Sequence, residues 1–284
     1  MPVITLPNGS SRTYSKGITS YFIAKDISPS LAKIAVASKV NEEIWDLSRE
    51  IIDDCKVSII TKENDEFLDL IRHDCAHIMA ESVLELFPET QVTIGPIIEN
   101  GFYYDFFRET TFTQGDLKSI EKRMHEIVDR KEIIYREVWD LNKAVKFYKK
   151  MNEPFKIELV EAIPKDQIVT FYRQGEFIDL CRGPHLPTTA HSGHAFKLMS
   201  VAGAYWRGDS NNPMLQRIYG TAWKNEKELN SYLLMLEEAE KRDHRKLGRA
   251  QNLFHIQEEA TGSVFWHPKG WTLYREIEDY IRRR

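Results

Sequence analysis

Asn64-Asp-Glu-Phe-Leu-Asp-Leu-Ile-Arg-His-Asp-Cys-Ala-His-Ile-Met-Ala-Glu-Ser-Val-Leu-Glu-Leu-Phe-Pro88 is the stretch on which the organisation of this chain turns. Asn64 or Asp65 can cap a helix whose first turn is acidic, as the helix dipole prefers. Phe67, Ile71, Ala76, Met79, Val83 and Phe87 recur at helical spacing, and Pro88 fits the end of the element. The spacing therefore predicts one long, packed helix to about Phe87, with a boundary near 63–66. His73 and His77, at i and i+4, then project the same way, about 5–6 Å apart at Cβ. A site on such a helix is held better than one on a loop. Cys75, between the two histidines, should point elsewhere and reads as core.

Toward the N-terminus, residues 1–62 read as a small strand-rich α+β module. Val3-Ile-Thr-Leu6 is strand-like and ends at Pro7-Asn-Gly9, where Asn-Gly signals a tight turn. A strand resumes toward Tyr14, a short helix covers Thr19 to Asp26, and strands follow at Ile34 to Val40 and Val57 to Thr61.

Toward the C-terminus, Val92–Ile98 and Glu99–Asp105 form a strand–turn–strand pattern with Asn100-Gly101 at the turn. Thr113 to Lys131 is amphipathic and opens with Thr-x-x-Asp, close to a capping box. Lys143 to Met151 is a shorter helix, and Ile168 to Tyr172 and Phe177 to Leu180 are strands leading into Cys181. Residues 203–212 are loop-rich, Leu215 to Trp223 is a strand, and Lys227 to about Leu247 is one long charged helix. A further amphipathic helix begins at Thr272 with too little chain around it to bury its apolar face, which reads as the start of another domain.

Composition sets the outer limits. The 284 residues allow one large or two to three modest domains, and 42% hydrophobic with 29% charged residues is ordinary for a soluble protein. No apolar run approaches a membrane span and no signal peptide opens the chain, so no membrane partner is expected. Three sparsely placed cysteines, Cys55, Cys75 and Cys181, argue against a disulfide framework and for a reducing cytoplasm. The net charge of −4 requires any nucleic-acid contact to be local. The run Lys241–Arg249 holds five cationic residues in nine and by itself reads first as a solvated helix face.

The chemistry gathers around two pairs: His73 with His77, and Cys181 with His185 in Cys181-Arg-Gly-Pro-His185. Together they offer N, N, S and N donors, which suit a tetrahedral zinc ion. The same groups suit proton transfer around a water attacking a carbonyl. Spacing alone leans to zinc and leaves both open. Cys181 lacks a dedicated thiolate-activating neighbour. Asp179 and Arg182 flank it, Tyr103 and Tyr104 supply phenols, and Lys156 reads as an ordinary surface lysine.

Five blocks in order, Arg72-His-x-Cys-Ala-His77, Gly95-Pro with Asn100-Gly-Phe-Tyr-Tyr-Asp105, Asp179-x-Cys-Arg-Gly-Pro-His185, Gly203-Ala-Tyr-Trp-Arg-Gly-Asp-Ser210 and Gln216-Arg-Ile-Tyr-Gly-Thr-Ala-Trp223, together resemble bacterial-type threonyl-tRNA synthetases. The resemblance implies an α+β chain: a small β-grasp (TGS-like) domain at 1–62 and a larger α+β editing domain at 63–225. A linker helix at 226–248 and the truncated start of a class II aminoacylation domain at 249–284 would follow. It implies hydrolysis of mischarged Ser-tRNA(Thr), because one methyl is worth only about 1–3 kcal/mol of discrimination and serine slips through. The family pattern carries onto His73, His77, Lys156, Cys181 and His185 as the catalytic pocket, with Tyr104, Asp179 and Arg182 binding substrate. His73 and Lys156 would position or deprotonate water, His185 and Cys181 shape the pocket, and His77 secure its neighbour or the ribose. It further implies no metal in this pocket, with zinc on His73, His77, Cys181 and His185 as the alternative. The parent's ATP, magnesium and zinc would belong to a catalytic domain that lies elsewhere and also carries its homodimer contacts. The tRNA(Thr) acceptor end would be met by Arg207, Arg217, Lys224, Arg242, Arg245 and Lys246, mostly through phosphates and 2′-hydroxyls. Two other readings stay in view: a tRNA-docking module with an idle site, and a stand-alone zinc-dependent deacylase.

Overall fold

The computed structural model describes residues 1–164 and 167–283, which fall into two compact units, Met1–Leu229 and Asn230–Arg284. In the first, the N-terminal strand Val3–Thr5 lies between Ser11–Thr13 and Cys55–Thr61. It runs parallel to the latter, and Ala35–Val40 and Glu43–Trp45 complete an otherwise antiparallel five-stranded sheet. The helix Ser20–Ile27 buries Ile23 and Ala24. A second short helix, Pro29–Ile34, stands where no element was expected. Ser28 caps it through the Ser30 N–H and Pro29 occupies its first turn, a start signal present in the sequence.

The long helix spans Glu66–Leu86, and 14 of its 21 residues are buried, so it is enclosed on far more than one stripe. It packs against the helix Gln114–Arg130 and against the strands Gly101–Phe107 and Met214–Ala222. These strands, with Phe196–Tyr205, Gln91–Val92 and Ile97–Ile98, make the central antiparallel sheet. The expected cap differs. Asp65 makes no capping hydrogen bond, and the Asn64 side chain turns back to accept from the Thr61 N–H at 2.8 Å, closing the turn before the helix. Thr113 and Asp116 do form a full capping box on Gln114–Arg130.

A three-stranded antiparallel sheet, Ile134–Trp139, Val169–Gln174 and Phe177–Leu180, is covered by the helices Leu141–Met151 and Pro154–Glu161. Its small core joins Trp139, Ala144, Tyr148, Val160, Val169 and Phe171. Residues 203–205, expected as loop, belong to the strand Phe196–Tyr205, because pairing with Met214–Ala222 continues through Gly203 to Tyr205. The single helix expected over 226–248 is two, Glu226–Lys241 and His244–Ala250. Asp243 adopts a non-helical conformation and accepts the Arg245 N–H at 2.8 Å, which restarts the helix there. In the second unit, Pro268–Arg282 leaves Leu273, Ile277 and Ile281 exposed.

Gly101 sits where the central sheet is tightest: a Cβ there would lie 2.1 Å from the Gly220 carbonyl oxygen. Gly101→Ala should therefore lower stability by about 2 kcal/mol, as overpacking against backbone typically does. Urea unfolding checks it, and an unchanged midpoint would contradict this packing.

Candidate functional site

Four elements converge on one cavity of about 540 Å³. The long helix supplies His73 and His77, and the strand Phe177–Leu180 supplies Asp179 and runs into Cys181. Gly101–Phe107 supplies Tyr104, and Pro154–Glu161 supplies Lys156. Thr93, Ile94, Gly95, Pro96, Thr170 and Arg182 also line it. Gly95 has a steric reason to be glycine, since a Cβ would approach the Tyr104 ring to 2.2 Å.

One wall is a buried polar knot. Asp179 Oδ2 accepts the Tyr104 hydroxyl at 2.6 Å, and Oδ1 accepts the Tyr148 hydroxyl at 3.2 Å and the Leu180 N–H at 2.8 Å. Lys156 Nζ pairs with Asp179 Oδ1 and donates to the Tyr104 hydroxyl at 3.1 Å. Lys156 is only 2% exposed, which corrects the reading of it as a surface lysine. Its burial is possible because Asp179 and Tyr104 receive the ammonium. Burial beside Asp179 pushes the Tyr104 phenol well above its usual range.

His73, His77 and Cys181 also line the cavity, and His185 stands behind them, outside its lining, to complete an imidazole–thiol cluster. His73 Nε2 is 3.1 Å and His185 Nε2 3.4 Å from Cys181 Sγ, which also accepts the Gly183 N–H at 3.3 Å. Ring centroids of His77 lie 5.0 Å from His73 and 4.4 Å from His185. Behind them, Asp74 Oδ1 meets His185 Nδ1 at 2.8 Å and Oδ2 accepts the Leu186 N–H at 3.2 Å. Burial raises Asp74 well above the usual carboxylate range, so either partner of the Asp74–His185 contact can hold the proton between them. Burial, reinforced by His185, lowers His73 to about 3. Burial lowers His185 to about 4 and pushes the Cys181 thiol up to about 12. The cluster is thus neutral near pH 7, and Cys181 is a thiol rather than a nucleophilic thiolate.

Among the described residues, His73, His77, Cys181 and His185 are the one group of such side chains placed to hold a metal, with donor atoms within 4.8 Å of one another. A tetrahedral zinc sets nitrogen and sulfur donors about 3.3–3.8 Å apart, so the donor types fit and the widest pair would close in by about 1 Å to hold it. Zinc bound there would supply a Lewis acid to a carbonyl or a water.

Of the cations expected at RNA, Arg207, Arg217 and Lys224 are not among the residues lining this cavity. Arg207 pairs with Glu158 at 2.9 Å, and Arg217 makes two bonds to Asp105, at 2.7 and 2.8 Å, over the Tyr103 ring. Lys224 donates to the Asn64 carbonyl at 3.0 Å. Arg242, Arg245 and Lys246 pair with Glu238, Asp243 and Glu240 at 3.4, 2.6 and 2.6 Å. Arg182 lies exposed at the cavity rim. Sequence reading passed over Asp46, Asp74, Tyr148 and Tyr172. Asp74 adjoins His73, but nothing in spacing shows that it reaches a residue more than a hundred positions away.

Residues 2–61 match the TGS domain, and residues 169–219 match the threonyl and alanyl tRNA synthetase second additional domain. The chain is 62% identical over 285 residues to the threonine–tRNA ligase of Paramagnetospirillum magneticum, covering 100% of this chain and 45% of that protein. It is 59% identical over 281 residues to that of Rickettsia peacockii, with 99% and 44% covered. Identity to that of Rhodospirillum rubrum is 57% over 284 residues, with 100% and 44% covered. The chain thus spans less than half the length of these curated relatives.

Neutral His73 generates a pH prediction. An unfolded histidine titrates near 6.5, whereas folding holds His73 near 3. Below pH 6.5 the unfolded chain therefore binds a proton that the folded chain refuses, and stability is lost as pH falls. Buried Glu81 and Glu153, raised to about 7 by burial, act in the opposite sense, but they cancel in a comparison with His73→Gln. Between pH 7.5 and 5 the variant should gain about 2 kcal/mol relative to the parent chain. Urea midpoints of both proteins at the two pH values check this, and a constant difference would contradict it.

Proposed function

We propose, from the premise that the chain belongs to the threonyl-tRNA synthetase family, whose N-terminal region it spans, that its own activity is hydrolysis of Ser-tRNA(Thr). The observation that carries this reading is one cavity lined by a buried cation, Lys156, and by the neutral imidazoles of His73 and His77. The domain division proposed is TGS at 1–62, editing at 63–225, a helical linker at 226–248 and the opening of an aminoacylation domain from 249. A cytoplasmic setting suits the three free cysteines, and no helix of the described residues is long and apolar enough to cross a membrane.

In this mechanism the seryl ester at the terminal adenosine enters the cavity. Asp179, the one carboxylate among the described lining residues, is the counter-charge for the seryl ammonium, and Tyr104 contacts the same end. Arg182 at the rim meets a phosphate. His73 positions a water against the ester carbonyl. With its pKa near 3 it is a weak base, so it holds the proton taken from water only until the intermediate collapses and then gives it to the departing 3′-oxygen. Lys156 faces the oxyanion as the C–O bond to water forms, and the tetrahedral intermediate collapses to free serine and tRNA. His77 secures His73 or the ribose, while His185 and Cys181 shape the pocket. No metal is called on in this mechanism, because Lys156 supplies the positive charge that faces the oxyanion. The exposed cations Arg207, Arg242, Arg245 and Lys246, with Lys224, approach RNA phosphates by exchanging their present acidic partners. Arg217, locked to Asp105, supports the sheet that carries Tyr104. The parent enzyme would join threonine to tRNA(Thr) with ATP, magnesium and zinc held in its catalytic domain, as a homodimer.

Serine release from Ser-tRNA(Thr), beside Thr-tRNA(Thr), with and without a strong chelator, tests the proposal. Selective, chelator-resistant release is expected, and chelator-sensitive release would assign zinc to the four-residue cluster. His73→Ala and Lys156→Ala should each lower the rate by about 10²–10³-fold with tRNA binding retained. Absence of release by the folded parent chain would leave tRNA docking as its role.

A further inference from the structure

Asp46 lies inside the segment that matches the TGS domain, yet both its carboxylate oxygens are directed into the site region. Oδ1 accepts the backbone N–H of His185 at 2.7 Å, and Oδ2 accepts the Tyr172 hydroxyl at 2.7 Å. All three residues are buried. The Tyr172 ring in turn lies against the His185 imidazole, with centroids 4.2 Å apart. Gly183 is pressed onto the same tyrosine: a Cβ there would lie 2.0 Å from its hydroxyl oxygen. His185 is thus held at its N–H by Asp46, on one face by Tyr172 and at Nδ1 by Asp74. A second cavity, of about 480 Å³, is lined by Asp46, His185 and Tyr135 among others, so His185 borders open space on the side where Asp46 holds it.

We propose that Asp46 is a positioning residue for hydrolysis: the small N-terminal module fixes His185 through a two-pronged carboxylate clamp, and through it Cys181 and His73. This inference rests on the hydrolytic reading above. A simple tie between two modules would need only the contact. A clamp on the backbone of a residue that touches the cluster sets where Cys181 Sγ and its imidazole neighbours stand. Errors of about an ångström in such placement can cost on the order of a hundredfold in rate.

The test is steady-state serine release by the full chain carrying Asp46→Ala, Asp46→Asn or Tyr172→Phe, with thermal unfolding measured alongside. Asp46→Ala should lower kcat by about tenfold or more with KM within about twofold. Asp46→Asn, whose amide oxygen can still accept the His185 N–H, should recover kcat to within about threefold. Lowered thermal stability with unchanged kcat in Asp46→Ala would overturn the proposal and leave Asp46 as a structural tie. If Asp46→Ala does not fold, Tyr172→Phe decides: reduced kcat at unchanged KM supports the clamp, and unchanged kcat overturns it. Should the parent chain release no serine, the hydrolytic reading fails by itself. Histidine ring NMR signals then judge the clamp: displaced His185 and His73 resonances in Asp46→Ala or Tyr172→Phe, returning toward the parent positions in Asp46→Asn, support it, and unmoved ones in Tyr172→Phe overturn it.

Discussion

Burying an ammonium beside a carboxylate costs several kcal/mol per ion unless nearly every donor and acceptor is satisfied, and the Lys156–Asp179 pair meets that condition. Asp179 receives the Tyr104 and Tyr148 hydroxyls and the Leu180 N–H, and Lys156 also reaches Tyr104. The participants come from two helices and from strands in two different sheets. The knot therefore ties the three-stranded sheet to the central one. Cys181 follows two residues after Asp179, so the same restraint presents the thiol to the histidine helix.

Electrostatics of the imidazole–thiol cluster follow from burial. Removal from water holds each imidazole and the thiol neutral, and at His73 and His77 neighbouring imidazoles add repulsion against a positive charge. A neutral, closely packed cluster facing a fixed cation is suited to orienting water and stabilising a developing oxyanion rather than to storing a proton. Burial of the histidines thus sets the chemistry as much as their identity does.

What sequence makes legible is local. Thr113-x-x-Asp116 marks its helix start because both partners of the capping box are four residues or fewer apart. His73 and His77 share a helix face by spacing alone, and Cys181 with His185 announces the donor set that the structure brings together. Lys156 looks like any lysine in a polar context because its burial depends on Asp179 and Tyr104, which lie on other elements. Asp46 is silent for the same reason, with a partner 139 positions away. The strand through Gly203 is hidden by loop-forming residues whose pairing is imposed by Met214–Ala222. At Asp243 the charge pattern runs on unbroken, and only the capping side chain shows the restart. The basic run around it is largely matched by nearby acids, which a count of cations alone does not reveal.

The most direct test of the central claim is a crystal structure of the chain with a hydrolysis-resistant amide of serine on the 3′ position of adenosine. The account predicts the seryl group in the cavity between the knot and the cluster, its ammonium toward Asp179 and its carbonyl between His73 and Lys156. Binding of the ligand outside that cavity, or a seryl carbonyl directed away from both His73 and Lys156, would contradict it.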